Sequence, residues 1–526
     1  MERSEFLAPT VTPPAERVIG DVLRRAARIS PQAPILRTVG LADEEVWTAE
    51  SLLADARRVA GSLLEGHQPG TRIATCLPNG AEAVLLQMGI ALAGMVLVPI
   101  NPRVRPPEMR HALALSGAEC IYVAPEIGGQ RLAEMASTIS TELPGSCEVR
   151  LCTGEWRSLL GADPGALPAV EAGDLAQVQF TSGTTGFPKG VQITHGGMVA
   201  TSRAFQERIG LPEGGVWLNP MPLFHTAGNV LGVMGALWQR SEHVVLAFEP
   251  ERVVQALDRH PVTFLSSAPT LLDILMSRSD LTTATKDDLR VVFTGGQTVT
   301  PSFVDRVEEA FGVPLITTFG MTETCGSALL HSPTDSPAIR RTTVGRPLEG
   351  TDVRVAGADT APVELGAVGE LWLRGERLTR GYYDDPKATA AAIDEDGWLH
   401  TGDLSVMTDG GACRIVGRLK DMIKTGGENV SPDEVEDVIV QHPHVGRASV
   451  VGVPDDRWGE RVVAFVVSAP GSTIDPESLE VHCRRLLSPF KVPREWRIID
   501  ELPITASGKV QRAELRKAAA QAASTT

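Results

Sequence analysis

Aromatic side chains are scarce in this 526-residue chain: 3 Tyr, 8 Trp and 13 Phe make up 5% of it, so aliphatic packing must fill whatever core forms. Cysteine is sparse and unpatterned. Cys76, Cys120, Cys147, Cys152, Cys325, Cys413 and Cys483 are odd in number and scattered, with no CxxC and no Cys/His pair at zinc spacing. This excludes a disulfide framework and leaves reduced, mostly structural thiols. Long apolar runs are missing too. The longest, 83–98, is interrupted by Gln87, Gly89 and Gly94 and stops at Pro99, short of the ~20 residues of a membrane span. It reads as a buried helix leading into a buried strand, and no stable membrane insertion is expected. The start, MERSEFLAPTVTPPAERV, lacks the basic end and apolar run of a signal peptide, and LRKAAAQAASTT carries no SKL or KDEL address, so the expected compartment is the cytoplasm. Positive charge is in deficit: 49 Lys+Arg against 65 Asp+Glu give a formal net charge of −16, which repels phosphate backbones and anionic lipid and excludes general nucleic-acid affinity. An anionic ligand has to be held by a local cluster of charge. No GxSxG elbow is present, so the activated-serine chemistry of α/β-hydrolases has no support.

What is present is ordinary soluble composition, 43% hydrophobic and 22% charged, in a chain long enough for two or more domains. Residues 52–63 have helical spacing, while 72–75, 96–100 and 121–123 are short apolar runs spaced as in α/β units with parallel strands. Residues 154–173, rich in Gly, Ala and Pro, read as a surface connection, and a strand over 177–181 follows. Thr300-Pro301 and Asp475-Pro476 predict helix starts with proline at the first position, and Ser431-Pro432-Asp433-Glu434 predicts a capping box opening a helix over 432–441. Beyond it, 448–453, 462–467 and 496–499 are strand-like and 476–487 helical. The expected fold class is α/β: a large layered N-terminal domain of α/β subdomains, 1–419, and a small mobile α+β C-terminal domain, 420–526.

Between the strand ending at Thr181 and a second strand-like run, 191–193, lies TSGTTGFPKG. Its three glycines admit close backbone approach, the hydroxyls of Thr181, Ser182, Thr184 and Thr185 can donate to phosphate oxygens, and Lys189 supplies a movable positive charge. It is not a Walker A loop, because Lys189 is followed by Gly190 and a strand. A bare GxxG would read as a polar hairpin; the full string reads as a polyphosphate cradle.

That string resembles the signature of the adenylate-forming superfamily, which contains acyl-CoA synthetases, firefly luciferase and peptide-synthetase adenylation domains. MPLFHTAG (221–228), FGMTET (319–324), GWLHTGDL (397–404), GRLKDMIKTGGENVSPDEVE (417–436) and LPITASGKVQR (502–512) resemble the family's other motifs in order and spacing. The resemblance implies ATP, Mg²⁺ and CoA as cofactor and cosubstrates. It implies that Thr181, Ser182, Gly183, Thr184, Thr185, Gly186 and Lys189 cradle the phosphates, and that Glu323 with Thr181 coordinates Mg²⁺, an ion suited to oxygen ligands. Phe319, where relatives usually carry tyrosine, would stack on adenine beside Gly320 and Thr322. Asp403 would accept the ribose hydroxyls, with Arg418 beside it. Lys509 would be the catalytic lysine bridging carboxylate and phosphate. Lys420 would be the hinge of the small domain, whose rotation brings Gly426, Gly427 and Glu428 to the pantetheine arm. His225 would gate or orient the acid, since a carboxylate at neutral pH has no proton to lose.

Amino-acid-activating relatives pair the substrate amine with an aspartate, and no acid occurs from Phe224 to Trp238, which argues for an acid without an ammonium group. Ala227, Gly228, Gly232 and Gly235 are open to two readings: space for an acyl chain, or close helix packing. The segments VVGVPDDRWGERVVAFVV and LLSPFKVPREW look like free-standing AMP-forming acyl-CoA ligases acting on a fatty or aryl/alicyclic acid, a setting of fatty acid metabolism, in a monomer or homodimer. The alternatives are loading of a carrier-protein pantetheine, a noncatalytic ATP- or acyl-adenylate-binding sensor, and luciferase-like oxidation of the adenylate.

Overall fold

The computed structural model describes residues 3–9, 11–39, 44–181, 188–282, 286–455, 457–504 and 510–523. The chain forms two compact units, 7–352 with 373–399, and 1–6 with 353–372 and 400–526. The architecture is α/β, as the alternating periodicities predict.

The larger unit contains a six-stranded and a nine-stranded sheet. In the first, the apolar strands Arg72–Cys76, Val96–Pro99 and Cys120–Val123 pair in parallel, and Leu175–Phe180 and Gly190–Thr194 close one edge as an antiparallel pair. In the second, Val216–Asn219, Val262–Ser266, Val291–Gly295 and Leu315–Phe319 run parallel in that spatial order. Both faces of such strands are covered, so they read as continuous Val/Ile/Leu runs. Helices Ile19–Ile29, Ala49–Gly66 and Ala81–Leu92 share one core with Ile35, Leu36 and Val245 of one sheet and Ile73, Val98, Ile121 and Val178 of the other. The apolar run 83–98 is thus the expected helix entering a buried strand.

The smaller unit carries a sheet ordered Glu5–Phe6, Asp352–Ala356, Val368–Arg374, Leu399–Met407, Cys413–Arg418, and a second built on the long hairpin Val445–Asp455 and Gly459–Ser468. Helices Pro432–Ile439 and Pro476–Leu486 cover the second sheet through Val435, Ile439, Leu479 and Cys483. Thr300 and Asp475 cap their helices as expected, accepting from the N–H of Phe303 and Glu477 at 3.2 Å. Ser431 does not. Its hydroxyl donates to the Val416 carbonyl at 2.6 Å, so the anticipated capping box is replaced by a tie from the helix start to strand Cys413–Arg418. All seven cysteines are free and buried. Among the described residues, no helix is long and apolar enough to cross a membrane.

Candidate active site

The cradle begins where two antiparallel strands part. Phe180 faces Gly190 in register, and one residue further Thr181 N–H donates to the Lys189 carbonyl at 3.1 Å. Ser182, Gly183, Thr184, Thr185 and Gly186 lie outside the described residues. Lys189 turns its ammonium over the ring of Tyr382, 4.6 Å from the centroid. The Tyr382 hydroxyl donates to Glu323 Oε1 at 2.8 Å. Burial and the Glu323 charge push this phenol up, so it stays protonated and remains a donor at neutral pH. Lys189 and Glu323, 134 positions apart, are therefore joined through one tyrosine.

Glu323 is placed by a short 3-10 turn, Thr322–Thr324, entered from the strand end Phe319 through Gly320. Thr324 Oγ1 accepts from Met321 N–H at 3.0 Å and fixes the turn. Only 5% of Glu323 is exposed, and among the described residues no cation pairs with its carboxylate. Its backbone carbonyl accepts from Thr379 N–H at 2.7 Å. The segment 379–383 is stitched in turn to the outgoing cradle strand: Tyr383 N–H reaches the Gly190 carbonyl at 2.7 Å, and Thr379 Oγ1 the Gln192 carbonyl at 2.8 Å. Beneath it, Arg377 is 3% exposed and donates to Glu349 O, Ser327 O and the hydroxyls of Thr201 and Thr351. Tyr382 and Arg377 were not anticipated from sequence. One cue was available: Tyr382 and Tyr383 are two of only three tyrosines.

His225 lies half-buried in the loop after strand Val216–Asn219, its ring 4.6 Å from that of Phe224. Asn79 holds this loop from both sides, accepting from Leu223 N–H at 2.9 Å and donating to Met221 O at 2.9 Å. The π-helix Ala227–Met234 follows, Gly235 opens the next helix, and the groups facing these glycines resolve their two readings. A Cβ on Gly228 would stand 2.1 Å from the Pro222 carbonyl, on Gly232 2.1 Å from Asn219 Nδ2, and on Gly235 2.8 Å from Gln206 Nε2. These glycines serve close packing of the helix.

In the smaller unit, Asp403 and Arg418 are register partners on adjacent antiparallel strands, and Arg418 Nε donates to Asp403 Oδ1 at 2.9 Å. The acid is 7% exposed and the guanidinium side chain 46%. Gly402 N–H binds Glu370 Oε1 at 2.9 Å and Asp403 N–H binds Thr401 Oγ1 at 3.1 Å, fixing the approach to the carboxylate. Lys420 sits in the turn that follows, closed by Asp421 N–H to the Arg418 carbonyl at 3.0 Å. Gly426 and Gly427 have φ of 61° and 87° and form the two-residue loop between Ile423–Thr425 and Glu428–Val430. A tight hairpin turn of this hand demands positive φ at both positions. Glu428 is exposed. Lys509 lies outside the described residues, but both flanks are fastened: Ile504 bridges Val510, and Arg512 inserts between Asp433 and Glu436.

The donor set fits the implied ion. The buried Glu323 carboxylate, which pairs with no cation among the described residues, and the Thr181 hydroxyl are hard oxygen ligands of the kind Mg²⁺ takes.

Comparison with known proteins identifies the family. The family model of the AMP-binding enzyme matches residues 23–383, and that of the AMP-binding enzyme C-terminal domain matches 434–509. The chain is 33% identical over 514 residues to a Mycobacterium tuberculosis 3-[(3aS,4S,7aS)-7a-methyl-1,5-dioxo-octahydro-1H-inden-4-yl]propanoyl:CoA ligase, covering 95% of this chain and 99% of that one. It is 35% identical over 504 residues to a feruloyl-CoA synthase of Amycolatopsis, covering 94% and 97%. Among solved structures it resembles an anthranilate CoA ligase in complex with anthranoyl-AMP, with a TM-score of 0.88, 25% identity and coverage of 97% and 99%. It also resembles ATP-bound MatB from Rhodopseudomonas palustris, with a TM-score of 0.87, 26% identity and coverage of 95% and 98%. The chain belongs to the AMP-binding, adenylate-forming enzyme family, in the company of its free-standing acyl-CoA ligases.

Proposed function

We propose that this protein is an AMP-forming acyl-CoA ligase. A carboxylic acid attacks the α-phosphate of ATP to give acyl-AMP and pyrophosphate, and the CoA thiolate then displaces AMP to give the thioester. The observation that carries the reading is the corner formed by Lys189, Tyr382 and Glu323. It sets a movable cation, in the segment that follows the glycine- and hydroxyl-rich stretch, near a buried carboxylate that no described cation pairs with. Two anions react here, so the chemistry needs preorganised positive charge rather than a nucleophilic side chain.

In this reading the hydroxyls and N–H groups of 181–186 and the Lys189 ammonium receive the phosphates. Thr181 and Glu323 would hold Mg²⁺, which when bound neutralises phosphate charge. Phe319 offers a stacking face to adenine beside Gly320 and Thr322, and Asp403, oriented by Arg418, accepts the ribose hydroxyls. Lys509 bridges the acid and the phosphate during adenylation. The division of labour runs along 1–419 and 420–526: rotation about Lys420 withdraws Lys509 and presents Gly426, Gly427 and Glu428 to the pantetheine arm. His225 orients the acid.

The substrate is an acid without an ammonium group, fatty or aryl/alicyclic, and the acceptor is free CoA in the cytoplasm. The absence of an acidic side chain from Phe224 to Trp238 supports the first point, and the names of the CoA-ligase relatives support the second. The test is a panel of carboxylic acids incubated with ATP, Mg²⁺ and CoA and read by thioester mass spectrometry. CoA thioesters with stoichiometric AMP are expected. Acyl-AMP that persists with CoA and discharges only onto a carrier-protein pantetheine would overturn the assignment of the acceptor.

A further inference from the structure

One face of the six-stranded sheet, unused by the adenylation chemistry, gathers three metal-ligating side chains from distant parts of the chain. Cys120 opens the strand Cys120–Val123 and Glu148 opens the edge strand Glu148–Leu151. The two are register partners in a parallel pair, so their side chains leave the sheet on the same face. His67 follows the helix Ala49–Gly66, its N–H still donating to the Leu63 carbonyl at 3.0 Å, and this turn delivers its ring to the same place. One imidazole nitrogen, the thiol sulfur and one carboxylate oxygen all lie within 4.8 Å of one another. His67 Nε2 is buried and has no hydrogen-bond partner among the described residues, an exception to the rule that buried polar atoms are satisfied. Arg150 fixes the carboxylate, Nε to Oε1 at 3.0 Å and Nη2 to Oε2 at 3.2 Å. Each oxygen keeps a second lone pair, and the arginine acts as the outer partner that orients a ligand.

We propose that His67, Cys120 and Glu148 form a binding site for a divalent transition cation of the zinc class. Mixed nitrogen, sulfur and oxygen donors select Zn²⁺ or Co²⁺ over Mg²⁺ and Ca²⁺, which take oxygen. Ligand atoms stand roughly 2.0–2.3 Å from such an ion, so rotamer adjustment closes the three side chains onto it. Three protein ligands leave one tetrahedral position for water. On coordination a sulfur–metal bond forms and the Cys120 thiol proton leaves to solvent; nothing is oxidised or reduced. The bound ion ties the sheet edge to the end of helix Ala49–Gly66.

The test is titration of the full-length protein with Co²⁺ under reducing conditions and excess Mg²⁺, followed by the thiolate-to-cobalt charge-transfer band in the near ultraviolet. One equivalent of Co²⁺ is expected to produce the band, and Zn²⁺ to bleach it. Cys120→Ala should remove it. His67→Gln and Glu148→Gln, which alter less buried side chains, should each weaken binding by at least about tenfold. His442→Gln, in the separate histidine group His442, His444 and His482, should leave it unchanged. Absence of the band in the wild-type protein, or a band untouched by His67→Gln, would overturn the assignment, and the latter holds even where Cys120→Ala fails to fold.

Discussion

Two buried carboxylates, Glu323 in the larger unit and Asp403 in the smaller, sit in opposite electrostatic settings. Glu323 receives a neutral phenol, while Lys189 rests on that phenol's ring face and forms no ion pair with the carboxylate. Asp403 is already matched by the guanidinium of Arg418 at 2.9 Å. An uncompensated buried charge is costly and draws a cation, whereas a neutralised carboxylate still accepts hydroxyl donors. The contrast separates a site suited to a metal ion and phosphate from one suited to a sugar, although both side chains are acids of similar exposure.

The comparison can be broken in order of expected effect. Neither carboxylate supplies the positive charge of the transfer step, so Lys509→Ala should lower acyl-AMP formation by roughly 10²–10³. Thioester formation from supplied acyl-AMP should survive in that variant. Glu323→Gln should cost roughly 10² in adenylation and flatten its Mg²⁺ dependence. Asp403→Asn should raise the KM for ATP with the Mg²⁺ response intact, and identical Mg²⁺ responses in the two variants would erase the distinction. Tyr382→Phe removes one hydrogen bond to a buried charge and should cost about 1.5–3 kcal/mol in urea unfolding.

Asp437 extends the series, since among the described residues no cation pairs with it. Burial, with Asp433 and Glu434 nearby, pushes its pKa from 3.8 up to about 7. A carboxyl raised on folding stabilises the native state fully below pH 3.8, and that contribution is lost as pH rises through about 7. Asp437→Asn should therefore remove part of the decline in Tm across that window, measured by calorimetry. The smallest effect belongs to Arg418→Ala. Its side chain is nearly half exposed, so the stability loss should be about 1 kcal/mol or less, with a modest rise in the KM for ATP.

Local rules were legible wherever neighbours in sequence are neighbours in space. Pro301 and Pro476 start helices, and the apolar runs 72–75 and 121–123 are strands. Whole-motif resemblance alone nominates Glu323, Asp403 and Arg418 as candidates, since nothing in their immediate composition distinguishes them from surface residues. Tyr382 escaped because its meaning lies in a partner 59 residues earlier, and the segment around it has no period to read. Ser431 misled for the complementary reason. It has the residue type and spacing of a cap, but a carbonyl 15 residues upstream competes for its hydroxyl. The helix glycines 228, 232 and 235 were ambiguous until the groups facing them were known. The His67–Cys120–Glu148 group is invisible to any search for metal-ligand spacing, because strand register, not sequence distance, assembles it.

The stitching of 379–383 onto strand Gly190–Thr194 and Glu323 also sets an order of events during synthesis. Domains fold as units as the chain emerges, and contacts of large sequence separation close late because loop-closure entropy comes first. The cradle strands and the Thr322–Thr324 turn are available early, but their shared tyrosine arrives only when residue 382 leaves the ribosome. A nascent chain ending before it has the loop and the acid without the link between them, so the Lys189–Tyr382–Glu323 corner is complete only after nearly three-quarters of the polypeptide has been made.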